Sequence, residues 1–316
     1  MTATTSASLE RCPNCEAAGF GPAGQTVTLA DTLRDWEIQG NLTFPQKVRD
    51  DYAANLAVPL RLHRCPACHF KQFVPPLAGT GSFYEAITTG GEAYYTQDRW
   101  EFRKAIAAIR KFDGKTVLDA GCGGGAFLRQ LRAAGSFSAY GYDFNPDTPA
   151  TLAADGIPAL ADMDEQVVPG GFDVVTCFQV LEHLANPWSF GEKLRRQLKA
   201  GGLLILTTPD AAGPISNFTN SVTDLPPHHV SRWDKTSMAA FGARFGFKLR
   251  RIRHEPLPNY VWRYYLPVMI RNAPLPKYLT LRLANRAGRF LDVLERFGVK
   301  ELPPLRGHSL YAEFEG

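Results

Sequence analysis

The stretch that most constrains this 316-residue chain is Val117-Leu118-Asp119-Ala120-Gly121-Cys122-Gly123-Gly124-Gly125, followed by Ala126-Phe127-Leu128-Arg129-Gln130-Leu131-Arg132. A short β-prone run turns through glycines straight into a helical pattern. That is the opening unit of a Rossmann-like sheet. The glycines supply backbone angles other residues resist and let a ligand approach the main chain. Their spacing departs from G-x-G-x-x-G, the pattern that seats a pyrophosphate at a helix N-terminus. Asp119 ends the strand just before the turn. A carboxylate there would repel a pyrophosphate and suits a cationic or amino-bearing ligand.

Further apolar runs, Val174-Val175 and Leu203 to Leu206, lack polar alternation, as strands buried on both faces do. Helical stretches such as Trp188 to Lys199 separate them. The pattern predicts an α/β fold with a largely parallel sheet.

The run from Val117 to Gly125 resembles motif I of the class I S-adenosylmethionine-dependent methyltransferases. The resemblance continues in order. Ala139-Tyr140-Gly141-Tyr142-Asp143 resembles the second strand, ending in the acid that accepts the ribose hydroxyls. Gly156 to Asp162 resembles the third strand, with Asp162 facing the adenine amino group. Phe172-Asp173-Val174-Val175-Thr176-Cys177-Phe178-Gln179-Val180-Leu181-Glu182-His183-Leu184 resembles the fourth strand and its FDVV…LEHL signature. Leu198 to Pro209 resembles the LKPGG turn and fifth strand, with Ala200 where proline is common. The match covers roughly residues 94–254 and the last dozen. It implies a seven-stranded Rossmann-like sheet and S-adenosylmethionine held by Tyr95, Asp119, Gly121, Gly123, Asp143, Asp162 and Gln179. Phe247 to Arg253 and Ser309 to Phe314 are expected to form the final antiparallel pair.

Six cysteines are present, and four form two CPxC knuckles, Cys12-Pro13-Asn14-Cys15 and Cys65-Pro66-Ala67-Cys68. Each turn aims two sulfurs at one point, and two such turns make a tetrahedral thiolate site suited to Zn²⁺. Ala30 to Ala57 reads as an insertion between them. Four thiolates leave no open coordination position, so the zinc is expected to be structural. Its loss should destabilise residues 10–80 before the chemistry suffers. His63 and His69 are expected to be bystanders, and Cys122 and Cys177 small packing residues.

The organisation expected is a zinc-binding module (1–80), a helical arm covering the cofactor (81–111), and a methyltransferase domain (112–316). That domain carries a helical insert (255–304) before its closing strand (305–316). In the arm, Tyr95 could stack on the sulfonium, while Trp100 reads as core. After the fifth strand, Pro226-Pro227-His228-His229 lies on the carboxyl side of the sheet. Two prolines stiffen the backbone before two imidazoles, the side chains best matched to proton transfer near neutral pH. His228 or His229 is the candidate general base, ahead of Glu182 and His183.

The function expected is methyl transfer to a hydroxyl of a small-molecule or glycan-like acceptor. Carbon methylation of a sugar needs the same base. Ribosomal-RNA methylation is a further alternative, and a zinc-binding scaffold without catalysis is the non-enzymatic one. With 35 Lys plus Arg against 31 Asp plus Glu, the net charge is +4, and the lack of basic clusters near the knuckles speaks against nucleic acid. No stretch from Met1 onward reads as a leader and no run is apolar enough to span a bilayer, so a cytoplasmic location is expected. The basic, aromatic insert could be an acceptor lid, a homodimer surface or a membrane contact.

Overall fold

The computed structural model describes residues 11–89, 99–112, 114–165, 167–218 and 221–316. The N-terminal part comprises β1 (Gly21–Val27), α1 (Leu29–Gly40), α2 (Gln46–Asp51), β2 (Leu60–Arg64), β3 (Lys71–Val74) and α3 (Gly81–Thr89). Thr28 caps α1 by accepting from the Asp31 amide, and Leu29, Leu33 and Trp36 recur at helical spacing on its buried face. They pack on Leu60, Leu62 and Phe73 of β2 and β3 and on Phe83 of α3. The stretch expected as an insertion is therefore one wall of a core.

Then follow α4 (Trp100–Ile109), β4 (Thr116–Ala120), α5 (Ala126–Ala134), β5 (Ser138–Tyr142), α6 (Thr148–Ala154), β6 (Phe172–Phe178), α7 (Pro187–Gln197) and β7 (Leu198–Pro209). After β7 come β8 (Ser231–Arg232), α8 (Lys235–Arg244), β9 (Lys248–Pro258), α9 (Asn259–Arg271), α10 (Lys277–Arg296) and β10 (Glu301–Glu315). The main sheet runs β5-β4-β6-β7-β10-β9. Its first four strands are parallel, and β10 inserts antiparallel between β7 and β9. The expected final pair is present, with Tyr311 opposite Arg253.

The expected third strand, Gly156 to Asp162, is shorter than its pattern suggests. It contributes a single parallel bridge, Ala159 beside Gly141, with Leu160 donating to the Gly141 carbonyl. That bridge supplies the seventh position at the β5 edge. Pro158, which has no amide to donate, limits the ladder.

Burial explains the unbroken apolar runs. Val174 and Val175, neighbours on β6, are both fully buried, one in the cluster with α4 and α5 and the other in the cluster with α7 and α8. Trp100 is core, edge-on to Tyr311 at 6.0 Å. Cys122 and Cys177 are buried in these clusters, and burial raises both thiols far above their usual range. They are packing residues.

A second sheet has the order β1-β2-β3-β8. Its last strand comes from the loop that carries His228 and His229, with Lys71 opposite Arg232 and Gln72 opposite Ser231. Phe70 lies against Trp233 at 4.7 Å, and Asn14 Nδ2 donates to the Ser237 carbonyl at 2.9 Å. The histidine loop is thus built onto the cysteine module through a shared sheet and core. The insert expected at 255–304 narrows to two helices, α9 and α10, because β9 runs on to Pro258 and β10 begins at Glu301, where the two strands pair. Among the described residues no helix is long and apolar enough to cross a membrane.

Candidate active site and cysteine cluster

The chain passes from β4 outward to β5 and returns across it to β6, so the carboxyl ends of β4 and its neighbours border a topological switch point. Ligands of open α/β sheets bind in such crevices. Here the glycine loop turns back on itself: the amides of Gly121 and Cys122 both donate to the Tyr142 carbonyl, at 2.7 and 2.9 Å. Gly121 has φ +90°, and a Cβ there would lie 2.3 Å from Val180 Cγ2. Gly121→Ala is therefore expected to cost about 1–3 kcal/mol and to weaken cofactor binding together with stability. Thermal unfolding and ligand titration of that variant check it.

Gly123 donates to Asp143 Oδ2 at 2.7 Å, and Asn145 donates to Oδ1 at 2.9 Å, which ties the acid at the end of β5 to the glycine loop. Asp119 is buried and accepts the Thr176 hydroxyl at 2.7 Å. Burial, aided by the Asp143 charge, pushes its carboxyl up to about 7. Gln179 ends β6 with φ +56°; its amide donates to the Thr207 carbonyl at 3.0 Å and its side chain reaches Glu101 of α4 at 3.4 Å.

Asp162 stands further out. Its exposed carboxylate binds Lys193 at 3.0 Å and the Asp164 amide at 2.9 Å. It reaches the others only through its charge, which joins burial and that of Asp143 in raising the Tyr142 phenol. Tyr95 lies outside the described residues.

After β6 and β7 the chain brings three histidines into one buried cluster. The rings of His228 and His229 lie 4.4 Å apart, and that of His183 lies 4.6 and 4.8 Å from them. One ring nitrogen of each falls within 4.8 Å of the others, so the trio could hold a cation or share a proton. Nδ1 of His228 sits 2.7 Å from the Thr223 carbonyl, which assigns that nitrogen the proton and leaves Nε2 basic. Nδ1 of His229 faces Asp224 Oδ1 at 3.4 Å, and Arg232 holds Asp224 at 2.8 Å. Burial keeps both imidazoles well below their usual range, reinforced by the repulsion that protonating two rings of the cluster together would bring and, for His229, by Arg232. Burial holds His183 at about 4. All three are neutral near pH 7.

Sequence reasoning missed several members of this cluster. Tyr84 on α3 places its hydroxyl 3.0 Å from His183 Nδ1, which also meets the His228 carbonyl at 2.8 Å. Trp36 of α1 stands edge-on to His228 at 5.6 Å. Glu182 is buried with no hydrogen-bond partner for either oxygen among the described residues, 3.9 Å from His183 Nε2, and burial raises it to about 8. The Glu182-His183 pair had been ranked behind the loop histidines, but in the fold His183 is part of the same cluster. No local pattern announces Trp36 or Tyr84, since aromatics on an amphipathic helix read as core.

The four knuckle cysteines converge. Cys12 and Cys68 sulfurs are 3.7 Å apart, and those of Cys15 and Cys65 are 3.6 Å apart. All four lie within 4.8 Å of one another. A tetrahedron of Zn–S bonds of about 2.3 Å has edges of roughly 3.8 Å, while a disulfide would need about 2.05 Å. The amides of Asn14 and Cys68 donate to Cys12 and Cys65 sulfurs at 3.3 and 3.4 Å, an arrangement that favours thiolates. His69 turns away to Asp234 at 3.2 Å, and His63 packs on Phe20. The donor set fits one structural zinc.

The fold defines a Rossmann-like α/β protein that carries a glycine turn tied to Asp143 and a buried histidine cluster. A family model described as a methyltransferase domain matches residues 94–252, and the chain belongs to that family. The tRNA U34 carboxymethyltransferase of Pseudoalteromonas translucida is 32% identical over 171 residues, covering 49% of this chain and 51% of that protein. The ubiquinone biosynthesis O-methyltransferase of Pseudomonas paraeruginosa is 36% identical over 104 residues, covering 30% and 44%. The chain spans about half the length of the curated relatives it matches. Among solved structures, an S-adenosylmethionine dependent methyltransferase from Mesorhizobium loti aligns with TM-score 0.43 at 18% identity, covering 70% of this chain and all of that one.

Proposed function

We propose that this protein is an S-adenosylmethionine-dependent methyltransferase acting on a hydroxyl of a small-molecule or glycan-like acceptor, with His228 or His229 as proton acceptor. One observation carries the reading: a neutral, buried imidazole cluster stands in the same α/β domain as a glycine loop tied to Asp143. S-adenosylmethionine, when bound, supplies an electrophilic methyl group. Gly121 and Gly123 would let it approach the backbone, and Asp143 and Asp119 would bind its hydroxyl and cationic groups. Gln179, fixed between α4 and β7, would border it, and Tyr95 and Asp162 are proposed at its rim. Nε2 of His228 or His229 would take the acceptor's hydroxyl proton. A base that is already unprotonated at neutral pH is ready for this. Loss of the positive form on burial also means the proton leaves readily afterwards. Trp36 and Tyr84, from the cysteine module and the arm helix, would wall the acceptor side.

The four cysteines are proposed to hold a structural Zn²⁺ that fixes β3, and through it β8 and the histidine loop. Metal analysis of the purified chain is expected to give one zinc per chain. The acceptor atom is tested with S-adenosylmethionine labelled in its methyl group, offered to phenolic and sugar hydroxyls and to a tRNA pool. Label in an O-methyl product supports the proposal. Label in a C-methyl or nucleotide product alone would overturn the choice of acceptor.

Asp119 makes cofactor binding pH-dependent. Its folded value of about 7 lies above its usual one, so raising the pH through 7 ionises it. The raised acid lowers stability as the pH climbs from about 4 to about 7, and above 7 it is the anion a cationic ligand needs. Affinity for S-adenosylmethionine is expected to rise about tenfold between pH 6 and pH 8 in the native protein and to be flat in Asp119→Asn, as read by titration calorimetry.

A further inference from the structure

Between β9 and β10 the chain makes an antiparallel helical hairpin, α9 and α10. Its interior is closed by Trp262 and Tyr265 of α9 against Leu291 of α10, with Leu257 behind. Thr280, Ala284, Ala287 and Leu291 mark the buried stripe of α10. At 100° per residue, the opposite face carries Tyr278, Phe290, Val293 and Phe297, interleaved with Arg282, Arg286, Arg289 and Arg296. All eight are exposed, Tyr278 by 69% and Phe297 by 81%. The two acids of the helix do not reach this face. Asp292 and Glu295 both turn to Arg263 of α9, at 2.5 and 3.0 Å. The outcome is a helix face of about 30 Å that is cationic and apolar together, without a carboxylate.

We propose that the outer face of α10 is a docking surface for an anionic lipid bilayer. Guanidinium groups bind phosphate headgroups bidentately and are drawn by the negative surface potential. Aromatic and apolar side chains between them enter the boundary of headgroup and acyl chain, as an interfacial helix requires. The helix is too polar to cross the bilayer, so it lies on it. A second copy of the chain fits this face poorly. A symmetric dimer sets the same patch against itself, which would oppose arginine to arginine with no acid to pair them. The inference stands apart from the methyl-transfer reading, because it is read without turnover.

The test is co-flotation of the full chain with vesicles of phosphatidylcholine alone or mixed with phosphatidylglycerol. Binding to the anionic vesicles and release by salt are expected. Arg286→Glu with Arg289→Glu should weaken that binding by about tenfold or more. Phe290→Ser with Phe297→Ser should weaken it without changing the charge. Circular dichroism and S-adenosylhomocysteine binding of both variants report that the fold persists. Equal retention on neutral and anionic vesicles, no retention on either, or undiminished binding of the charge-reversed variant overturns the proposal. So does a dimer, seen by light scattering without lipid, that the Phe290→Ser, Phe297→Ser pair dissociates.

Discussion

Cys68→Ser is expected to abolish the proposed zinc binding and to disorder the histidine loop along with the cysteine module. Cys68 is buried 3.7 Å from Cys12, and its neighbour Phe70 is packed against Trp233. Without the metal, unpaired sulfurs remain at the centre of a core where Asn14 Nδ2 donates to Cys68 Sγ at 3.6 Å. Metal sites of this kind contribute folding free energy directly. A loss of at least about 4 kcal/mol is expected, seen as an early unfolding transition. Because β8 is paired to β3, Trp233 fluorescence and cofactor-dependent turnover should fall in the same transition. Retention of turnover after the module has melted would show that the two parts are independent.

The second large effect concerns the base. Alanine at His228 or His229, whichever is the proton acceptor, should lower kcat by about 10²–10⁴-fold and leave S-adenosylhomocysteine affinity within a few-fold of native. Both histidines are buried, so the Gln variants, closer in volume, guard against a trivial packing loss. His183→Gln is expected to act less strongly, through the ring contacts it makes with both. Near-native turnover in both alanine variants would place the base elsewhere. Glu182, buried beside His183, would be the next candidate.

Much of this architecture was legible in the sequence because local patterns there coincide with global constraints. The glycine turn reads correctly because Gly121 has a backbone angle and a neighbour, Val180, that exclude other residues. The cysteine pairs read correctly because a knuckle is a local turn and sulfur converges on sulfur wherever two such turns meet. The third strand was overread: its apolar run is real, but Pro158 leaves a single bridge.

The larger omission was tertiary. Nothing in Ser231-Arg232 signals a strand added to the sheet of a module more than 150 residues earlier. The roles of Trp36 and Tyr84 depend on that same docking. Their wall around His228 appears only when the stretch first read as an insertion folds over the loop. Asp162, a ligand contact by its place in the motif order, stands at the surface with its carboxylate on Lys193.

The central claim is that the glycine loop and its acids bind S-adenosylmethionine in this chain. Titration calorimetry of S-adenosylhomocysteine into the native protein and into Asp143→Ala tests it most directly. Saturable one-to-one binding to the native chain and its loss in the variant, with the metal content unchanged, is the expected result. No binding to the native chain, or equal binding to both, would contradict it.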